Sequence, residues 1–171
     1  MEDRLKTLQD KAPSLRFETP EAIELATTAL THSSQSLTHN NTELARLGEA
    51  VSKAVATKAL FLSPGGSHTG QQYNAIALSF ANKALTPLAR KYEIDKILRI
   101  GKGVPYVSDE MASRGLVALL GALELTSGPD ALLGALKELG IIKLPEPLKE
   151  LSDGIQRFKI EGGEVKAELV D

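Results

Sequence analysis

His32 stands beside Ser33, glycines at 65, 66 and 70 punctuate a loop behind Pro64, and basic residues gather between Lys83 and Lys102. A serine next to a histidine supplies the raw materials of a nucleophile and its base. Neighbours at a helix end point apart, however, and no orienting acid stands nearby, so the expectation is a histidine hydrogen-bonded within the core. The loop from Ser63 to Gly70 lacks the G-x-x-x-x-G-K-[ST] spacing and its lysine, which makes it a flexible connection rather than a phosphate cradle. The basic stretch says more. Lys83, Arg90, Lys91, Lys96, Arg99 and Lys102 stand against Glu93 and Asp95, a local net of +4 in a chain of net charge -2. Clusters of this kind hold phosphate backbones, although a solvated helix face explains any one of these residues equally well.

These side chains must be carried by helices. From Asn41 to Phe61, Leu44, Leu47, Val51 and Val55 recur every three or four residues, with Leu62 just beyond, while Ala45, Glu49 and Lys53 occupy a neighbouring face. Thr42 before Glu43 offers an N-cap. Upstream, residues 2–11 read as a short charged helix anchored by Leu5 and Leu8 and stopped by Pro13. A second helix starts with Thr19 as cap and Pro20 in its first turn, and runs toward Ser34. Downstream come helical segments 71–80 and 81–92, with Pro87 expected in the first turn of the latter. A helix over 107–128 follows, then another from Pro129 to Leu139 that Gly140 ends. Residues 144–155 suggest a last short helix or turn. Alternation from Phe158 to Leu169 around Gly162 and Gly163 suggests a hairpin. The reading is an all-α domain over 1–157, with 158–171 a tail, a short β-hairpin or the start of a linker.

The 171 residues, 42% of them hydrophobic, are enough for one ordinary core. Without cysteine or tryptophan, the chain has no disulfide and no thiolate metal site. No apolar run reaches membrane-spanning length, and the acidic start does not suit a signal or transit peptide. The expectation is a soluble intracellular protein, cytoplasmic, or mitochondrial if a transit peptide has been removed, with no membrane partner. The net charge argues against a uniformly basic nucleic-acid binder and leaves room for a local patch.

Three motifs in order resemble the ribonuclease III family over roughly residues 15–139. The tail of the second helix, Ala29-Leu30-Thr31-His32-Ser33-Ser34, matches the family's Ala-Leu-Thr-His-Ser-Ser. The helix from Asn41 keeps Asn41, Leu44, Leu47, Gly48, Ala50 and Val51 of the family's Asn-Glu-Arg-Leu-Glu-Phe-Leu-Gly-Asp-Ala-Val. Ala118-Leu119-Leu120-Gly121-Ala122, with Ser127-Gly128, resembles the family's second catalytic helix, and Asn82 to Ala89 is similar to its Asn-x-x-Leu-x-x-Leu-Ala. The resemblance implies a ribonuclease III endonuclease-domain fold, atypical and similar to divergent fungal members. It implies RNA as partner, a homodimer paired through Leu44, Arg46, Leu47 and Val51, and Mg2+ as the cofactor of phosphodiester hydrolysis.

The implied carboxylates are mostly missing. The family's four acidic positions fall on Ala45, Glu49, Arg114 and Val117, so one carboxylate is kept, on a longer arm. Magnesium ions need an oxygen-rich cage to activate water, and a guanidinium repels them. A shifted site remains conceivable, with Glu49 and Glu110 as metal ligands and Asp109 as a further catalytic group. The plainer readings are i, i+4 pairs of Glu49 with Lys53 and of Glu110 with Arg114. Three functions compete: an atypical endoribonuclease in RNA silencing or decay, a catalytically dead RNA-binding subunit such as those of fungal mitochondrial ribosomes, and a dimerisation module. The first is preferred because the chain ends where such enzymes usually continue into double-stranded-RNA-binding domains. RNA contact is expected through Lys83, Arg90, Lys96, Arg99 and Lys102.

Overall fold

The computed structural model describes residues 2–63 and 68–145, together with the backbone of 157–161 and 164–168. Its order is α1 (Glu2–Lys11), α2 (Pro20–Ala29), α3 (Thr42–Phe61), α4 (Gly70–Ser79), α5 (Asn82–Lys91), α6 (Ile94–Ile97), α7 (Asp109–Glu138), β1 (Arg157–Glu161) and β2 (Glu164–Glu168). The body is all-α. β1 and β2 pair antiparallel with Ile160 opposite Val165, as the alternation predicts. The expected turn at Gly162 and Gly163, and the short element over 146–155, lie outside the described residues.

Helix α7 is the axis of the body, and α2, α3, α5 and α6 pack against it. Its residues from Leu116 to Leu123 are buried without a break, because neighbours cover every side of that stretch. By length and composition α7 could cross a membrane, which corrects the expectation that no segment reaches that length. Other helices bury half of its apolar window, and Leu125 is left 57% exposed.

Local chemistry explains most boundaries. Thr19 accepts from the Ala22 amide at 3.2 Å and Pro20 opens α2, as expected. Ser108 caps α7 by accepting from Met111 at 3.2 Å. Gly140, at φ +75°, follows the end of α7 in the left-handed conformation that favours glycine. The separate helix expected from Pro129 is present: Gly128, at φ 78° and ψ -178°, is not helical, so α7 is two helices that meet at a kink there.

Several expectations need correction. Helix α2 ends at Ala29, and the chain then forms an isolated parallel bridge between Thr31 and Arg99. Asn41, not Thr42, is the N-cap of α3, and its buried side chain makes no capping bond. Pro87 lies inside α5, which begins at Asn82, so its missing amide leaves the Lys83 carbonyl without its helical donor.

The largest correction concerns which face of α3 is buried. Leu44, Gly48, Ser52, Ala56 and Leu60 line the core, whereas Leu47, Val51 and Val55 are half-buried and Leu62 is 67% exposed. Side-chain size decides this. A Cβ on Gly48 would lie 2.0 Å from the Val117 carbonyl oxygen and 2.8 Å from the Gly121 nitrogen. One on Gly121 would lie 2.3 Å from the Leu44 carbonyl oxygen. The helices touch backbone to backbone, which only glycines allow.

Candidate functional site

The glycine crossing places the residues on either side of it around one cleft. Ala45, Arg46 and Glu49 of α3 face Glu110, Ser113, Arg114 and Val117 of α7, and Phe80, Asn82 and Leu85 close the far side of a space of about 340 Å³. Ala45 and Glu49 are therefore brought together with Arg114 and Val117, far apart in the chain. Ser113, fully buried, fixes this turn of α7 to α5 through a 3.0 Å hydrogen bond between its Oγ and that of Thr86.

The two carboxylates that line the cleft are each met by a cation. Lys53 donates from Nζ to Glu49 Oε1 at 2.6 Å, and Arg114 donates from Nη2 to Glu110 Oε1 at 3.1 Å. These are the i, i+4 pairs that spacing predicts. Arg46 likewise donates to Glu43 at 3.1 Å. Ala45 and Val117 contribute only hydrocarbon. Among the described residues no group of three or more His, Cys, Asp or Glu is placed to hold a metal ion. The donor set does not make the oxygen cage that Mg2+ requires, and the nearest fixed charge to Glu110 is a guanidinium.

Asp109 does not join this cleft. It accepts from Arg90 Nη2 at 2.8 Å and from Nε at 3.3 Å, which makes it part of the clasp that joins α5 to the start of α7. The structure thus does not bring it together with Glu49 and Glu110 in the lining of the cleft.

The basic stretch is dispersed by the fold. Arg90 is occupied by Asp109, by Asp95 at 2.7 Å and by the Val107 carbonyl at 3.1 Å; hydrogen bonding to Asp109 and then Asp95 raises its pKa. Lys96 donates to Glu93 at 2.9 Å, and the hydrogen bond raises its pKa. Glu93 also meets Lys11 at 2.6 Å, so Lys11 first and Lys96 second hold its carboxyl down at about 2. Lys83 and Lys102 are exposed, and so is Arg99, whose backbone is clamped between Leu30 and His32. Of the six cations only Arg90 and Lys96 are thus paired, Asp109 being the one acid from outside the stretch, and Lys83, Lys91, Arg99 and Lys102 make no ion pair among the described residues.

His32 is half-buried at the edge of the site, not within the core as expected. Its Nδ1 accepts from the Ser34 amide at 3.1 Å and lies 2.9 Å from Ser34 Oγ, which in turn accepts from the Gly101 amide at 3.0 Å. Desolvation, and then the charge of Arg114, lower its pKa, with Glu110 opposing. Sequence reasoning missed this proximity, since nothing local joins residue 32 to residue 114. Of the expected dimer residues, Leu44 is buried in the subunit's own core, so Arg46, Leu47 and Val51 alone remain accessible.

No family model matches the chain. Over 112 residues it is 34% identical to Ribonuclease 3 of Ectopseudomonas mendocina, spanning 63% of this chain and 48% of that protein. Ribonuclease 3 of Pseudomonas syringae pv. syringae is 33% identical over the same coverage. The chain thus spans about half the length of the curated relatives it matches. Among solved structures, a nuclease domain of ribonuclease III from Campylobacter jejuni, described for structural flexibility in a region involved in dimer formation, superposes with a TM-score of 0.66. It is 24% identical and covers 79% of this chain and 95% of that one. A 2.2 Å crystal structure of the same nuclease domain gives 0.64 at 23% identity, covering 79% and 92%.

Proposed function

We propose that the helical body, which has the fold of ribonuclease III nuclease domains and is 34% identical to a Ribonuclease 3 over 112 residues, is a ribonuclease III-like domain that binds RNA but does not perform efficient Mg2+-dependent cleavage of regular duplexes. One observation carries this reading. The cleft that the α3–α7 crossing builds holds Glu49 and Glu110 as its carboxylates, each already paired with a cation, beside hydrocarbon at Ala45 and Val117. Hydrolysis through a metal-bound water needs several oxygen donors on one ion. An arginine at the same opening opposes the ion by Coulomb repulsion. No step of phosphodiester hydrolysis is therefore assigned to a metal here.

What remains supports binding. Arg46 and Arg114 stand in the cleft, and Lys83, Arg99 and Lys102 are exposed elsewhere on the body. Contacts of this type are directed at the backbone and weaken with salt. Self-association is part of the same proposal. Leu47, Val51 and Val55 leave a half-exposed apolar stripe on α3, in a fold whose Campylobacter counterpart is described as dimer-forming. Arg46, at the edge of the stripe, weakens it unless an acid across the interface meets it.

Incubating the purified chain with a long duplex RNA and Mg2+ tests the reading. The expected result is intact duplex alongside measurable RNA binding. Rapid cutting into short duplexes, abolished by chelation, would overturn it. Any slow cleavage of single-stranded RNA is expected to fall in Glu49→Gln, the one acid retained at a family position.

A further inference from the structure

Resting on the proposal that this domain binds RNA, we propose that the cleft grips a phosphodiester of the RNA backbone through the Arg114 guanidinium, with Arg46 at the same opening, and needs no divalent cation to do so.

The argument begins with which arginines are available. Arg90 is committed, with four hydrogen bonds from its Nε, Nη1 and Nη2 to Asp95, Asp109 and the Val107 carbonyl. Arg114 gives one hydrogen bond, from Nη2 to Glu110, and its side chain is 41% exposed against 66% for Glu110. A guanidinium carries five N–H donors in a planar fork that matches phosphate, so most of this fork is uncommitted. Exposed pairs of this kind contribute little, because water competes for both partners and both side chains must be held still. A phosphate that accepts a bidentate pair from Arg114 while Glu110 swings into water gains charge-assisted bonds and gives up a weak one. Arg46 stands in the same position toward Glu43, with both side chains more exposed still.

The cleft supplies the remaining conditions. Arg114 follows the buried Ser113, whose hydrogen bond to Thr86 fixes that turn of α7, so the guanidinium extends from a rigid base. Glu49, which would repel a phosphate, is neutralised by Lys53 at 2.6 Å. At about 340 Å³ the opening accommodates a phosphodiester with its flanking sugars.

The geometry predicts opposite signs for two neighbouring substitutions. Binding of a fluorescein-labelled single-stranded RNA of mixed sequence to the full chain would be measured in EDTA and in Mg2+, over a range of salt. Affinity should agree within about twofold between EDTA and Mg2+. Arg114→Gln should weaken binding about tenfold and lower the salt slope by about one. Glu110→Gln, which frees the guanidinium, should strengthen binding roughly two- to fivefold. In the Arg114→Gln background the gain from Glu110→Gln should shrink, since the part of it that frees the guanidinium is gone. An unchanged affinity in Arg114→Gln, or a loss in Glu110→Gln, would overturn the proposal. If Arg99→Glu with Lys102→Glu abolishes binding while Arg114→Gln does not alter it, RNA binding stands and the cleft proposal alone fails. If the unaltered chain binds no RNA in either buffer, the underlying reading fails with it.

Discussion

Replacing Gly48 by alanine should destabilise the chain, and the size of the effect can be worked from one contact. The added methyl would begin 2.0 Å from the Val117 carbonyl oxygen and 2.8 Å from the Gly121 nitrogen. Carbon and carbonyl oxygen rest at roughly 3.3 Å or more, so α3 and α7 must part by about 1 Å. Both obstructing atoms are backbone, so no side-chain rotation relieves the clash. Overpacking of this kind costs about 1–3 kcal/mol, and a rigid obstacle puts it near the upper end. Alanine returns about 1 kcal/mol of helix propensity, which leaves a net loss of about 2 kcal/mol. For a chain of this size that is roughly 4–8 °C in Tm. Gly134 is the internal control, since it is exposed on α7 and a Cβ there meets nothing within 4 Å. Gly134→Ala should stabilise by about 0.5–1 kcal/mol. Thermal and urea melts of the two variants give the comparison. A Gly48→Ala melt within 1 °C of the parent, or loss of stability in Gly134→Ala alone, would refute the close crossing on which the cleft depends.

Further outcomes follow from charge and surface. Glu93 is depressed to about 2 by Lys11 and Lys96. A depressed carboxylate stabilises the fold above its unfolded value and ceases to as pH falls through its folded one, so this contribution should be intact at neutral pH and fade between about 4.5 and about 2. NMR titration of the Glu93 carboxyl should show that midpoint, with a rise in Lys11→Ala; a midpoint near 4.5 in the parent would deny the pairing. Sedimentation at micromolar concentration should show a dimer that Val51→Glu dissociates, and a monomeric parent would remove the proposed role of the α3 stripe. RNA affinity should fall steeply between low and physiological salt, and a flat response would exclude backbone-directed binding.

How much of this was legible in the chain depended on the range of the physics involved. Thr19 with Pro20 and the terminal Gly140 were readable because caps and stops act over a few residues. So were the Lys53–Glu49 and Arg114–Glu110 pairs, which lie one helical turn apart. The buried face of α3 was misjudged because hydropathy favours Leu47, Val51 and Val55, whereas the crossing with α7 admits Gly48, Ser52 and Ala56. A glycine within each of two apolar helices, Gly48 and Gly121, was the signal available for a close crossing. The basic stretch misled for a related reason. Asp109 lies outside it in sequence but reaches Arg90 in space, while Lys96 is held by Glu93 three residues away within the stretch. The convergence of Ala45 and Glu49 with Arg114 and Val117 was accessible only through the family frame, because no local pattern relates residues so far apart.

The most direct test of the central claim, that this cleft has no place for a catalytic divalent ion, is a Mn2+ titration followed by electron paramagnetic resonance. The chain should show no stoichiometric site in the micromolar range. A variant carrying Ala45→Glu, Arg114→Asp and Val117→Glu, which returns carboxylates to the positions around Glu49, should acquire one. Tight binding by the unaltered chain that is lost in Glu49→Gln would contradict the account.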